Sequence, residues 1–182
     1  MKARELGYIA VSTALFCVSA WIAFPIGGIP VTLQTLTLCL AAGLLGAKRA
    51  LLATLAYLLL GLIGVPVFAG FAAGVGALFS PTGGYLIGFL ALSVTTGLAS
   101  DLLKERRGYA KGVYLGLSMG LGLLICYAFG TVWFTCVASA GKEVGLWGGV
   151  TICVLPYLPF DTIKIVFAVF LVQKLQKYMK MG

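Results

Sequence analysis

Long apolar segments separated by short basic clusters restrict this chain to a membrane-embedded fold. Hydrophobic residues make up 61% of the 182-residue sequence and charged residues only 10%, against roughly 25% charged in soluble domains. At about 20 residues per membrane helix, the chain has room for six spans and short loops. We therefore predict an all-α integral membrane protein with one domain over 1–182, and helices near 6–24, 32–46, 50–63, 84–101, 110–138 and 157–174.

The positions of the basic residues predict how the chain is oriented in the membrane. With an N-terminus inside the cell, all 13 lysines and arginines except Lys142 and Lys164 fall on the cytoplasmic side. Such an excess of basic residues is typical of cytoplasmic loops. The pattern predicts two cytoplasmic termini and places connectors 25–31, 64–83 and 139–156 outside. The net charge of +8 is then a membrane-anchoring feature, and we expect no nucleic-acid partner.

Asp161 and Lys164 interrupt the most apolar part of the sequence, LPYLPFDTIKIVFAVFLVQKL. A charge in the hydrocarbon costs several kcal/mol, and membrane proteins retain such residues mainly to bind a polar solute, an ion or a proton. Residues three apart lie on one face of a helix, so an anionic acceptor would lie beside a cationic donor. The same pair could also be a structural salt bridge or part of a proton relay.

The other polar residues near the predicted outer helix ends suggest a binding pocket. Its candidates are Gln34 with Thr32 and Thr35, and Thr82 with Tyr85. Segment 64–83 has no charge and is rich in glycine and aromatic residues. We expect it to fold over a cavity rather than lie in water, with Phe68, Phe71 and Phe79 as aromatic walls. The stretch Ser80-Pro81-Thr82-Gly83-Gly84 is expected to form a tight turn before the fourth span.

The sequence lacks the residues that several kinds of chemistry require. The sequence has no histidine and no P-loop motif GxxxxGK[ST], so we expect neither a metal site nor ATP binding by this chain. It contains no HExxH or GxSxG motif either, which argues against an enzyme. Four hypotheses remain, in this order: a transporter, a stand-alone secondary carrier for a small vitamin-like solute, an enzyme acting on a lipid, and a structural scaffold.

Three stretches, IPVTLQTL (29–36), GVPVFAG…LFSPTGGYLIGF (64–89) and LPYLPFDTIK (155–164), resemble the BioY family. BioY proteins are the biotin-specific substrate-binding subunits (S components) of energy-coupling factor (ECF) transporters. The resemblance covers most of the chain and implies a six-helix S-component fold in the cytoplasmic membrane. It also implies biotin as ligand, no cofactor, and assembly with a transmembrane coupling subunit and two ATPases that alone use ATP.

The resemblance also implies roles for individual residues. Asp161 would accept a ureido N–H of biotin and Lys164 would donate to a ligand oxygen, while the walls would be formed by Tyr85, Gln34 and Phe68. Ala10 and Ala14 match the AxxxA face by which such subunits dock on the coupling subunit. Ser80 departs from the family, which more often has glycine there.

Overall fold

A computed structural model describes residues 3–26, 29–106, 108–138 and 145–179 of the chain. Lys2, Arg107, Lys142, Glu143 and Lys180, which entered the charge assignment, lie outside this described part. The structure is predominantly helical, as predicted. The helices of the described residues are α1 (Ala3–Trp21), α2 (Gln34–Leu45), α3 (Ala47–Leu62), α4 (Val75–Leu78), α5 (Gly83–Leu102), α6 (Tyr109–Ala138), α7 (Leu146–Cys153) and α8 (Leu158–Met179).

Each of the six predicted spans coincides with one long helix, namely α1, α2, α3, α5, α6 or α8. Length and apolarity alone qualify two of the described helices as membrane spans, Gly83–Leu102 and Tyr109–Val137. Helices α7 and α8 meet the same criterion as a pair bent by 55°. The helix positions are therefore confirmed, whereas the number of crossings and the side of the termini stay predictions.

A small β-hairpin corrects the purely helical prediction. Strands β1 (Ala23–Ile26) and β2 (Ile29–Thr32) pair antiparallel, with Ala23 opposite Thr32 and Phe24 opposite Val31. The sequence analysis assigned this region to the ends of two helices and a Pro/Gly connector. Pro25 and Pro30 oppose continuation of a helix because they lack a backbone N–H, and the β-branched residues around them suit strands.

Helix α7 is a second correction, because segment 139–156 was expected to be a connector. The helix packs against α6, where Gly149 leaves so little space that a Cβ atom there would lie 2.8 Å from Thr135 Cγ2. Between α7 and α8 the chain bends by 55°. Pro156 lies in this break, and proline is a common cause of such bends because it removes a helical hydrogen bond.

Glycine residues bring α5 and α6 into close contact. A Cβ atom at Gly88 would lie 2.7 Å from Cys126 Sγ, and one at Gly122 would lie 2.2 Å from Thr95 Oγ1. Small residues at helix interfaces in membranes allow backbones to approach and dispersion contacts to form. Helices α2 and α3 pack against α5, and α7 and α8 pack against α6, whereas α1 packs against α2 and α3.

The junction between α2 and α3 is held by side chains from α5 and α8. Gly46 separates the two helices with φ +82°, and Asp101 Oδ2 accepts the Ala47 N–H at 2.9 Å. The Gly43 carbonyl accepts hydrogen bonds from Ser100 Oγ at 2.6 Å and from Gln176 Nε2 at 2.8 Å. These bonds satisfy backbone groups that the helix break leaves without helical partners.

Gly97 allows α5 to contact this junction, and its substitution tests the packing. A Cβ atom there would lie 2.4 Å from Ala47 Cα, so Gly97→Ala must displace backbone. We expect the variant to lower the free energy of unfolding by about 1–3 kcal/mol, measured by denaturant unfolding in detergent. The control is Gly120→Ala on α6, where a Cβ atom meets nothing within 4 Å. Equal stability of Gly97→Ala and the wild type would contradict the packing described.

Candidate functional site

A cavity of about 270 Å³ lies between α2, α5, α6 and α8, beneath the segment that connects α3 to α5. Its wall includes all six residues that the sequence analysis named for the binding site: Gln34, Phe68, Thr82, Tyr85, Asp161 and Lys164. The structure thus brings together residues that are up to 130 positions apart (Gln34 and Lys164). Their role in binding a ligand stays a prediction.

Asp161 and Lys164 form an ion pair in the wall of this cavity. Lys164 Nζ lies 2.8 Å from Asp161 Oδ1, and the side chains are only 12% and 7% exposed. Both residues lie on α8, where Asp161 occupies the first turn. A carboxylate is favoured there by the positive end of the helix dipole.

Three further groups complete the environment of the pair. Thr35 Oγ1 of α2 donates to Asp161 Oδ1 at 2.8 Å, and the Tyr127 hydroxyl of α6 donates to Asp161 Oδ2. Lys164 Nζ also donates to the Thr32 carbonyl at 2.7 Å and to Thr35 Oγ1 at 3.3 Å. The three hydrogens of the ammonium group therefore have three acceptors, and the ion pair connects α2, α6 and α8.

Gln34 anchors a hydrogen-bonded chain that reaches the segment above the cavity. Its Nε2 donates to the Tyr57 hydroxyl at 2.6 Å, and Tyr57 donates to the Val67 carbonyl at 3.2 Å. The ring of the next residue, Phe68, packs edge-on against Tyr57 with centroids 5.5 Å apart. Gly61 leaves room for this ring, because a Cβ atom there would lie 2.0 Å from Phe68 Cζ.

Thr82 and Tyr85 line the cavity where α5 begins. Residues 80–83 form the predicted turn, with the Gly83 N–H donating to the Ser80 carbonyl at 3.0 Å. Ser80 Oγ lies 3.0 Å from Thr82 Oγ1, so the serine is accommodated within the turn. The Tyr85 hydroxyl lies 3.2 Å from Thr131 Oγ1, and its ring packs against Gly130.

Two of the three aromatic residues expected to line the cavity lie on the surface instead. Phe71 is 64% exposed and stacks on Trp21 with centroids 5.5 Å apart. Phe79 is 66% exposed and lies beside Trp133. Gly70 has φ +69° and Phe71 itself has φ +60°, a turn that directs Phe71 away from Phe68. The apolar wall is formed instead by Phe68 with Leu86, Phe89 and Leu123.

Tyr127, Tyr57 and Tyr157 contribute to the site or its support, and the sequence analysis did not name them. Tyr127 and Tyr157 line the cavity, while Tyr57 holds Gln34. The signal for Tyr127 and Tyr57 was a phenolic hydroxyl within an apolar helix, since such a group needs a buried partner. Only the fold identifies that partner as Asp161 or Gln34.

The composition of the cavity is that of a small-molecule binding site. Its wall combines the ion pair, hydroxyls and an amide with a larger set of apolar side chains, the pattern by which proteins orient an organic ligand. Among the described residues, no group of three or more His, Cys, Asp and Glu side chains could hold a metal ion. No other carboxylate of the described residues lines the cavity, which gives a proton relay no second acidic member there.

Apolar helices around a cavity of this kind are the architecture that a solute-binding transport protein requires. The comparisons agree: the family model BioY matches residues 1–181, and the chain belongs to the BioY family. The fold also matches a crystal structure of the S-component for biotin from an ECF-type ABC transporter, with TM-score 0.83, 27% identity and coverage of 97% of this chain and 95% of that chain.

Relatives of known name support the same family. A Pyrococcus horikoshii protein named Probable biotin transporter BioY is 37% identical over 97% of this chain and 98% of its own length. A Thermotoga maritima protein named Biotin transporter BioY is 36% identical, with 96% of both chains covered. The prediction of a transport family rather than an enzyme family is thereby confirmed.

Tyr127→Phe tests the described environment of the ion pair. The variant removes one donor to a buried carboxylate, and hydrogen bonds to charged groups contribute about 1.5–3 kcal/mol. We expect a loss of that order in the free energy of unfolding without ligand, measured in detergent. Tyr114→Phe is the matched control, because Tyr114 is 52% exposed on the same helix. Equal stability of the two variants would show that Tyr127 does not support Asp161.

Proposed function

We propose that the protein binds biotin in the described cavity and imports it as the S component of an ECF-type transporter. The observation that carries this proposal is the placement of the Asp161–Lys164 pair in the wall of an otherwise mostly apolar cavity, within a chain of the BioY family. Biotin combines a polar ureido ring with an apolar thioether ring and a valerate chain. Its two kinds of surface correspond to the polar and the apolar side chains of the cavity wall.

In the proposed complex, biotin replaces hydroxyl groups of the protein as a hydrogen-bond partner of the ion pair. The carboxylate of Asp161 accepts a ureido N–H, and Lys164 donates to a ligand oxygen. Because all three ammonium hydrogens already have acceptors, a ligand oxygen must replace one of them. Thr35 Oγ1, at 3.3 Å, is the longest of these contacts and is the one we expect to yield. Gln34, Thr82, Tyr85 and Phe68 complete the walls.

We assign the protein to the cytoplasmic membrane with six spans and both termini inside. The clustering of basic residues between apolar segments supports this orientation. In this arrangement Asp161 and the segment over the cavity lie near the outer face, so the site would receive biotin from outside. The whole chain, 1–182, would act as one substrate-binding domain.

Powered uptake would require partners, because the sequence has no nucleotide-binding motif. We propose a transmembrane coupling subunit and two ATPases, which would use ATP, while this chain needs no cofactor. Ala10 and Ala14 are exposed on α1, with Val11 and Leu15 also exposed beside them. A surface of small residues one turn apart permits close approach of a partner helix, so these alanines are the proposed docking surface.

Reconstitution distinguishes the alternative, a stand-alone secondary carrier, from the proposed S component of an ECF-type transporter. Proteoliposomes with this chain alone should bind biotin but should not accumulate it under an ion gradient. Accumulation driven by the gradient, without ATPases, would favour the carrier and contradict the ECF proposal.

Lys164→Ala tests the role of the ion pair in binding. The lost charge-assisted bond and the unpaired Asp161 should weaken biotin binding at least about tenfold, measured by calorimetry. Lys104→Ala is the matched control, because Lys104 also pairs with an aspartate three residues away, Asp101, at 2.8 Å but in an exposed position. The double variant Asp161→Asn/Lys164→Met, which leaves no charge unpaired, should also lose binding. Retention of full affinity by this variant would refute the assigned roles.

Ala10→Trp and Ala14→Trp test the docking surface. Both side chains would project where close helix packing is proposed, so co-purification with the coupling subunit should fall while biotin affinity is unchanged. Leu121→Trp on α6, at a position 57% exposed, is the control for an added surface tryptophan. Normal assembly of both alanine variants would place the docking surface elsewhere.

A further inference from the structure

A second cavity lies outside the biotin site, between α1 and α2. It has a volume of about 530 Å³ and is lined only by residues of these two helices. On α1 the lining residues recur every three or four positions, so they form one face of the helix. Those used here are Arg4, Gly7, Val11 and Leu15 of α1 and Leu40 and Leu44 of α2.

The length of this α1–α2 groove corresponds to one leaflet of a bilayer. From Arg4 to Leu15 the helix rises about 16 Å at 1.5 Å per residue, and half of a hydrocarbon core is about 15 Å. The groove begins at the N-terminal end of α1, which carries the charged side chain of Arg4, and ends near the middle of the helix. Its walls along that length are mostly apolar, with Ser12 and Thr37 at the deep end.

Arg4 is held at the charged end of the groove. Its Nε donates to the Tyr8 hydroxyl at 3.1 Å, and its guanidinium lies 5.9 Å from the centroid of the Tyr8 ring. The neighbouring carboxylate of Glu5 pairs with Arg49 at 2.6 Å. Within the described part of the chain no carboxylate pairs with Arg4. In the proposed orientation, the terminal nitrogens of its guanidinium group are therefore charged hydrogen-bond donors at the membrane surface. They lie in the first turn of α1, where the helix dipole also favours an anion.

We propose that the α1–α2 groove binds one anionic phospholipid of the cytoplasmic leaflet. The phosphate lies on Arg4, and an acyl chain lies along Val11, Leu15 and Leu44. Basic groups between membrane helices on the cytoplasmic side select anionic headgroups, and Arg4 combines that charge with an adjoining apolar channel of one-leaflet depth. The inference rests on the orientation given under Proposed function, but it does not rest on the biotin site.

The groove is distinct from the proposed docking surface for the coupling subunit. Ala10 and Ala14 do not line it, and they occupy the adjacent face of α1. A lipid in the groove would therefore border the docking surface without covering its alanines. This position would make assembly with the coupling subunit sensitive to the headgroup composition of the membrane.

Native mass spectrometry of the purified chain tests the inference. The protein is released from mixed micelles that contain phosphatidylglycerol and phosphatidylcholine with identical acyl chains. We expect one phosphatidylglycerol to be retained, and Arg4→Gln to reduce its retention about fivefold. Gly7→Leu should reduce retention as well, because a Cβ atom at Gly7 meets nothing within 4 Å and the longer side chain would fill the groove.

Matched controls separate this site from general attraction of lipid to a basic protein. Arg106→Gln removes the same charge from an arginine that also lies over a tyrosine ring, Tyr114, at 5.6 Å, and should leave retention unchanged. Gly120→Leu adds the same side chain at an open position of α6 and should also be neutral. Biotin affinity of all four variants should equal that of the wild type, which keeps this test separate from the proposed function.

Equal retention of the two phospholipids, or equal losses in Arg4→Gln and Arg106→Gln, would overturn the proposal. It would also be overturned if Gly7→Leu retained phosphatidylglycerol but no longer assembled with the coupling subunit. The groove would then be occupied by a protein helix.

Discussion

The buried carboxylate of Asp161 is the group on which the arrangement of the cavity depends. It accepts hydrogen bonds from Lys164 on its own helix, from Thr35 on α2 and from Tyr127 on α6. An isolated charge at this position would be costly in a membrane, so these donors are needed together. Because they come from three helices, the same bonds that stabilise the charge also fix the relative positions of α2, α6 and α8 around the cavity.

The ammonium group of Lys164 has three acceptors within the protein, and the carboxylate of Asp161 has three donors. Neither residue is therefore an unpaired buried charge, which would be strongly destabilising. In the proposed complex, binding would be an exchange of hydrogen-bond partners, in which a solute replaces hydroxyl groups of the protein. The net gain would depend on how well the solute fits the apolar side chains of the wall, since the polar exchange alone contributes little. Selectivity would therefore require both the polar and the apolar side chains of the cavity.

The sequence predicted those parts of the fold that follow from hydrophobicity and charge. Six long helices and the proximity of Asp161 to Lys164 follow from apolar segments and a three-residue spacing. The hairpin of β1 and β2 could not be predicted in the same way, because its strands are short and apolar like the helices beside them. Helix α7 was missed for a related reason: its eight residues are too few to be recognised as a span.

The charged residues of the site were predicted from the sequence, whereas its uncharged residues were predicted only in part. Asp161 and Lys164 are conspicuous because charges are rare in apolar helices. Tyr127 and Tyr57 are not, since tyrosine is common in membrane proteins and its hydroxyl partner depends on tertiary contacts. Phe71 and Phe79 were wrongly expected in the cavity wall because sequence proximity to Phe68 does not determine direction within an irregular segment. At Phe71 the chain turns with positive φ angles at Gly70 and Phe71, and Phe79 follows the short helix α4.

A crystal structure of the biotin complex is the most direct test of this account. The predicted result is a ligand polar atom within about 2.7–3.2 Å of both the Asp161 carboxylate and Lys164 Nζ, with the Thr35 hydroxyl displaced from Nζ. The account would be contradicted if biotin occupied another region while the ion pair kept all the partners it has in the empty protein.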